Sequence, residues 1–172
     1  MVKVRLYLVR HGKTMFNTIG RAQGWSDTPL TAEGELGIQE LGIGLRESGL
    51  QFERAYSSDS GRTIQTMGII LEELGLQGKI PYRMDKRIRE WCFGSFDGAY
   101  DGDLFMGIIP RIFNVDHVHQ LSYAELAEGL VEVDTAGWAE GWEKLSGRIK
   151  EGFEAIAKEM EEQGGGNALV VS

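Results

Sequence analysis

Val4-Arg5-Leu6-Tyr7-Leu8-Val9-Arg10-His11-Gly12-Lys13-Thr14 is the stretch that decides the fold. Residues 4–9 combine Val, Leu and Tyr with few polar interruptions, which predicts a strand. The run has the apolar density of a strand buried on both faces, as in a parallel sheet. Arg10, His11 and Gly12 follow at its carboxyl end, where open α/β sheets place ligands. Gly12 lets backbone approach a ligand closely, and Asn17 adds a neutral donor nearby. Taken alone, the triplet fits a strand ending in a solvated Arg-His pair better than it fits a catalytic site.

Outward from this stretch, strands and helices alternate. Residues 20–30 read as a loop containing Pro29. Thr31 is placed to cap a helix whose buried face would carry Leu36, Ile38, Leu41 and Leu45, with Gly49 ending it. Glycines 34, 37, 42 and 44 count against that helix, because each is costly in a helix interior. Residues 55–58 predict a second strand, and Asp59 or Ser60 would cap a helix carrying Ile64, Met67, Leu71 and Leu74, ended by Gly75. Residues 85–134 are less regular and read as an excursion over the core. From Thr135 the positions Trp138, Trp142, Leu145, Ile149, Phe153, Ile156 and Met160 make one apolar helical stripe. Gly164, Gly165 and Gly166 interrupt it, and residues 167–172 begin another buried strand. The order predicts a single domain over residues 1–172, a three-layer α/β/α sandwich with a mainly parallel sheet.

The bulk numbers narrow the partners. The 172 residues suffice for one domain with a hydrophobic core, and 42% apolar with 26% charged residues is ordinary globular composition. A net charge of −8 argues against nucleic acid and anionic membranes as partners. It leaves room for an anionic substrate held by a few focused arginines. The single cysteine, Cys92, excludes an intrachain disulfide and fits a cytoplasmic setting. No apolar stretch near the start is long enough for a signal-peptide core or a membrane span.

Beyond residue 14 the context changes the reading of His11. Arg10-His11-Gly12-x-Thr14-x-x-Asn17 followed by Gly24-Trp25-x-Asp27-x-Pro29-Leu30-Thr31 closely resembles the signature of the histidine phosphatase (phosphoglycerate-mutase-like) superfamily. Ser57-Ser58-Asp59-x-x-Arg62-Thr63-x-Gln65-Thr66 is similar to its second block. Ile88-Arg89-Glu90 and Phe93-Gly94-x-Phe96-Asp97-Gly98 resemble its third. The segment 99–134 matches no pattern. In the family the strand resembling residues 167–172 is followed at once by a second catalytic histidine and glycine, whereas this sequence stops at Ser172. The expectation is a chain whose C-terminal part is missing and which, in this short form, is weakly active or inactive.

The resemblance implies that His11 attacks phosphorus as a neutral imidazole and forms a phosphohistidine. The guanidinium groups of Arg10 and Arg62 would disfavour its protonated form and grip the phosphoryl oxygens without a metal. Asn17 would donate to the same oxygens. Glu90 would protonate the leaving oxygen and then activate water; its plainer reading is a surface carboxylate paired with Arg87 or Arg89. Gln23 and Gly24 would line the entrance and touch substrate, with a purely loop-forming role nearly as good a reading. No cofactor and no metal are expected. His117 and His119 read as solvated loop residues ahead of metal ligands, Cys92 as packed, and the acidic run Glu159, Glu161 and Glu162 as a solvated helix end.

The function expected is a phosphomonoester phosphatase acting on a small phosphorylated metabolite. Glu90-Trp91-Cys92-Phe93-Gly94 lacks the Glu-Arg-His-Tyr-Gly run typical of cofactor-dependent phosphoglycerate mutases, and so points to the phosphatase branch. The alternatives are mutase-type phosphoryl transfer and, because the second histidine is absent, a non-catalytic phosphate-ligand-binding protein. The substrate and the oligomeric state stay open, a homodimer included.

Overall fold

The computed structural model describes residues 2–172. In chain order the strands are β1 (Val4–Val9), β2 (Arg54–Ser57), β3 (Tyr82–Met84) and β4 (Gly166–Val171). The α-helices are α1 (Met15–Thr18), α2 (Ala32–Glu47), α3 (Gly61–Glu73), α4 (Ile109–Phe113), α5 (Tyr123–Val133) and α6 (Trp142–Glu162). The residues fall into two compact units, one comprising those up to Met15 with Thr28–Arg89 and Ile149–Ser172, the other Phe16–Asp27 with Glu90–Arg148.

The first unit is built on a four-stranded sheet in the order β1-β4-β2-β3, every pair parallel. Strand side chains alternate between faces, and β4 shows what that accomplishes. Leu169 and Val171 join a core with Ile38 of α2 and with Met67, Ile70 and Leu71 of α3. Ala168 and Val170 face the other way, into a core with Ile156 and Met160 of α6. This is the expected three-layer arrangement. Strand β1 departs from expectation in its burial: it pairs only with β4 among the described residues, and Leu8 is 65% exposed rather than enclosed on both faces. Strand β3 lies outside the strands the sequence predicts; its three residues, Tyr82, Arg83 and Met84, are all exposed and too few to show a strand period.

Helix α2 begins where expected. Thr31 caps it, its hydroxyl oxygen accepting the Gly34 amide at 3.0 Å. Its buried face is different: Gly34, Ile38 and Gly42 are buried, while Leu36 and Leu41 are exposed. The glycines replace the leucines because neighbouring atoms come too close for a side chain, the Lys13 backbone at Gly34 and the Glu73 side chain at Gly42. A Cβ on Gly42 would stand 2.7 Å from Cβ of Glu73 on α3. In α3, Ile64 is exposed and Ile70 is fully buried in its place; Ser60 takes the cap position without a side-chain cap bond.

In the second unit, α5 starts with a capping box in which Ser122 accepts the Glu125 amide and Glu125 accepts the Ser122 amide. Gly129 of α5 lies against the ring of Phe113 in α4, closely enough to exclude a Cβ. Residues Gly102–Ile108 form a π-helical stretch before α4. The long helix expected from Thr135 begins only at Trp142. Asp134 is the reason: its carboxylate accepts the amides of Ala136, Trp138 and Ala139, coiling residues 135–139 around itself, with Gly137 at φ 70°. Trp138 consequently leaves the apolar stripe and is 70% exposed. Burial works against ionisation of Asp134, but those amides and Ser95 outweigh it and hold the carboxyl well below the usual carboxylate range.

Candidate active site

Where β1 ends, the chain turns across the carboxyl edge of the sheet. The His11 amide donates to the Ser172 carbonyl at 3.0 Å, and the Ser172 amide donates to Val9 at 3.1 Å. The ends of β1 and β4 are therefore tied side by side. The Ser58 amide donates to Val171 and extends the same edge to β2.

The His11 ring is oriented by its own neighbour. Nδ1 lies 2.8 Å from the Gly12 carbonyl oxygen. A carbonyl only accepts, so Nδ1 carries the proton and the lone pair of the neutral ring is on Nε2. Gly12 is fixed in turn, its amide donating to the Thr66 hydroxyl at 3.0 Å. A side chain at Gly12 would stand 2.9 Å from Ile38 and 3.0 Å from the Gly34 carbonyl. Any larger residue would have to push the chain after β1 and α2 apart.

Arg62 sits in the first turn of α3 with 1% of its surface exposed. A guanidinium so buried is costly unless it meets negative charge. Helix N-termini also favour anions. Arg10, by contrast, is exposed at the strand end. The first unit thus brings Arg10, His11 and Arg62 to one edge of its sheet and its flanking helix.

Asn17, Gln23, Gly24 and Glu90 belong to the second unit. Asn17 is exposed in α1, whereas Gln23 and Gly24 are buried. The Gly24 amide donates to Asp97 Oδ1 at 2.8 Å, and any side chain on Gly24 would collide with the Trp91 carbonyl oxygen. Asp97 also accepts from the amide and hydroxyl of Ser26 and from the Phe93 amide. Asp97, quoted in the sequence only as part of a block, is therefore the knot of the loop carrying Gln23 and Gly24. Glu90 is exposed, and its carboxylate accepts the Trp91 amide at 2.8 Å.

Arg89 and Arg87 each engage other carboxylates. Arg89 clasps Asp59 with two bonds, at 2.5 and 2.6 Å, and Arg87 spans Asp85 and Glu151. His117 and His119 are exposed around a short turn at Val118–Gln120. Among the described residues no group of three or more His, Cys, Asp or Glu is arranged to hold a metal ion. Cys92 is buried, and that burial pushes its thiol up, away from nucleophilic chemistry. No described helix is long and apolar enough to cross a membrane.

The parallel sheet of the first unit thus carries a strand-end histidine, with a buried arginine at the start of a flanking helix. The sequence profile of the Histidine phosphatase superfamily (branch 1) matches residues 6–172, and the chain belongs to that family. It is 48% identical over 63 residues to GpmB of Salmonella choleraesuis, named a probable phosphoglycerate mutase; the match takes in 37% of this chain and 28% of that one. A crystal structure of phosphoglycerate mutase from Bacillus anthracis is similar with a TM-score of 0.91 and 37% identity, over 99% of this chain and 75% of that one. An Escherichia coli structure provisionally named an alpha-ribazole-5'-P phosphatase is similar with a TM-score of 0.70 and 25% identity, over 99% and 73% of the two chains.

Proposed function

We propose that the protein is a phosphomonoester phosphatase that works through a phosphohistidine on His11. The observation that carries this reading is the Nδ1 bond to Gly12, which directs the lone pair of a neutral imidazole to Nε2. In the first step Nε2 forms a bond to phosphorus while the bond from phosphorus to the ester oxygen breaks, and the Glu90 carboxylic acid gives its proton to the departing oxygen. In the second step the Glu90 carboxylate takes a proton from water, the water oxygen bonds to phosphorus, and the phosphorus–nitrogen bond breaks. Arg10, Arg62 and Asn17 hold the phosphoryl oxygens, and Gln23 and Gly24 line the substrate's approach. The substrate is a small phosphorylated metabolite in the cytoplasm, and no metal is required.

A mutase is the second reading, favoured by the likeness to the Bacillus anthracis enzyme. The two differ in what accepts the phosphoryl group, water or a second hydroxyl. The intact protein is to be assayed on a panel of phosphomonoesters and on phosphoglycerates, with acid-labile phosphate on the protein measured after rapid quenching. Release of inorganic phosphate and label lost in His11→Ala are expected. Phosphate migration between hydroxyls without release makes it a mutase. Label retained in His11→Ala removes His11 as the nucleophile.

A further inference from the structure

Glu140 has none of its surface exposed. Its carboxylate is gripped at both oxygens by Arg148, Nε to Oε1 at 2.8 Å and Nη2 to Oε2 at 2.6 Å. A buried ion pair is weak as a source of stability, because desolvation offsets much of the attraction. Its worth lies in fixing geometry, and what this pair fixes is the chain at residues 90–92. Glu140 Oε2 accepts the Cys92 amide at 3.2 Å, the Glu140 amide donates to the Cys92 carbonyl at 3.1 Å, and the Glu140 carbonyl accepts the Trp91 indole at 2.8 Å. Arg148 reaches one residue further, donating from Nη2 to the Glu90 carbonyl at 3.2 Å. The same carbonyl accepts the Trp25 indole at 3.0 Å, so both its lone pairs are engaged.

From this geometry we propose that Glu140, Arg148 and Trp25 are positioning residues for Glu90, setting the backbone from which its carboxyl delivers a proton. The proposal rests on Glu90 being the acid of the phosphatase reading. The three hold every residue from Glu90 to Cys92. These bonds reach Glu90 at its backbone carbonyl, so their effect on chemistry passes through the placement of its carboxyl. Small displacements suffice: ~1 Å of misplacement costs up to ~10²-fold in rate.

The test uses leaving-group dependence. An aryl phosphate such as 4-nitrophenyl phosphate expels an anion that needs no proton, whereas an alkyl phosphate such as glycerol phosphate needs the acid. For each substrate kcat/KM is measured in the intact protein and in Glu90→Gln, Glu140→Gln, Arg148→Lys and Trp25→Phe. Trp25 is partly exposed and the Phe variant keeps the ring, so it removes one donor with little threat to folding. The expected result is a loss of ~10-fold or more on the alkyl substrate, with the aryl substrate within about threefold. It should be largest in Glu90→Gln and not multiply in the double variant Glu90→Gln with Trp25→Phe. If Glu90→Gln shows the selective loss and Trp25→Phe and Arg148→Lys lose both substrates equally or neither, the positioning role is overturned and the acid role stands. If Glu90→Gln itself shows no selectivity, the acid role falls and the positioning role with it.

Discussion

The hydroxyl of Thr66 joins the two strongest candidates of the site: it accepts the Gly12 amide at 3.0 Å and donates to the Arg62 carbonyl at 2.8 Å. Thr66 is fully buried. It lies one helical turn beyond Arg62, so one oxygen registers the end of β1 against the first turn of α3. His11 precedes Gly12 and bonds its carbonyl. The orientation of the imidazole and the start of the arginine's helix therefore share a single anchor.

Replacing Thr66 by Val keeps the shape and deletes that anchor. The Gly12 amide is left buried without its acceptor, which costs ~1–3 kcal/mol. Urea unfolding should show that loss in Thr66→Val and most of it restored in Thr66→Ser. Phosphatase activity should follow the same order. A Val variant as stable and as active as the parent would mean that the strand end is held by packing alone.

Arg62→Lys retains the charge and loses the planar fork that binds two oxygens at once. If Arg62 stabilises the transferring phosphoryl group, kcat/KM should fall by ~10²-fold, the scale of losing one preorganised donor. Unfolding should remain cooperative. A rate near that of the parent would place the guanidinium outside the chemistry.

The family was legible because residues 10–17, 57–66 and 88–98 carry blocks resembling its signature in order, and its profile matches residues 6–172. The layers were legible because Met67, Leu71, Ile156 and Met160 keep helical spacing. What stayed hidden depends on contacts distant in sequence. Asp134 draws three following amides onto its carboxylate, which no local pattern announces, and the helix predicted from Thr135 starts at Trp142 instead. Glu140 sat within that supposed helix and gave no sign of its pairing with Arg148. The glycines of α2 look alike in sequence, yet Gly34 meets the Lys13 backbone and Gly44 faces open space.

Those two glycines make opposite predictions from the same substitution. At Gly34 a methyl group would collide with the Lys13 carbonyl oxygen, just past the His11 turn. Backbone must shift, and a cost of ~1–3 kcal/mol is expected. At Gly44, where nothing lies within 4 Å, alanine should stabilise by ~0.5–1 kcal/mol through its better helix propensity. Urea midpoints of Gly34→Ala and Gly44→Ala, with unchanged m-values, should move in opposite directions. Shifts of the same sign would mean that helix propensity, and not the close approach of β1 to α2, governs this face.

The pair of Arg89 with Asp59 predicts how stability depends on pH. The two bonds from Arg89, against the opposing effect of burial, hold the Asp59 carboxyl below its ordinary value. A carboxyl lowered on folding binds its proton more readily in the unfolded chain. Its contribution is therefore complete above the unfolded value, in the ordinary carboxylate range, and is lost as pH falls through the lower folded value. Asp85, lowered by its bonds from Arg87, acts in the same direction. Asp59→Asn removes one of these contributions. The variant should be less stable than the parent at neutral pH, and the gap should close as the medium is acidified and the parent's Asp59 becomes protonated. Urea unfolding of both proteins at intervals from pH 7 to about pH 3 reads this directly. Curves that remain parallel over the whole range would show that the Arg89 bond shifts no proton equilibrium at Asp59.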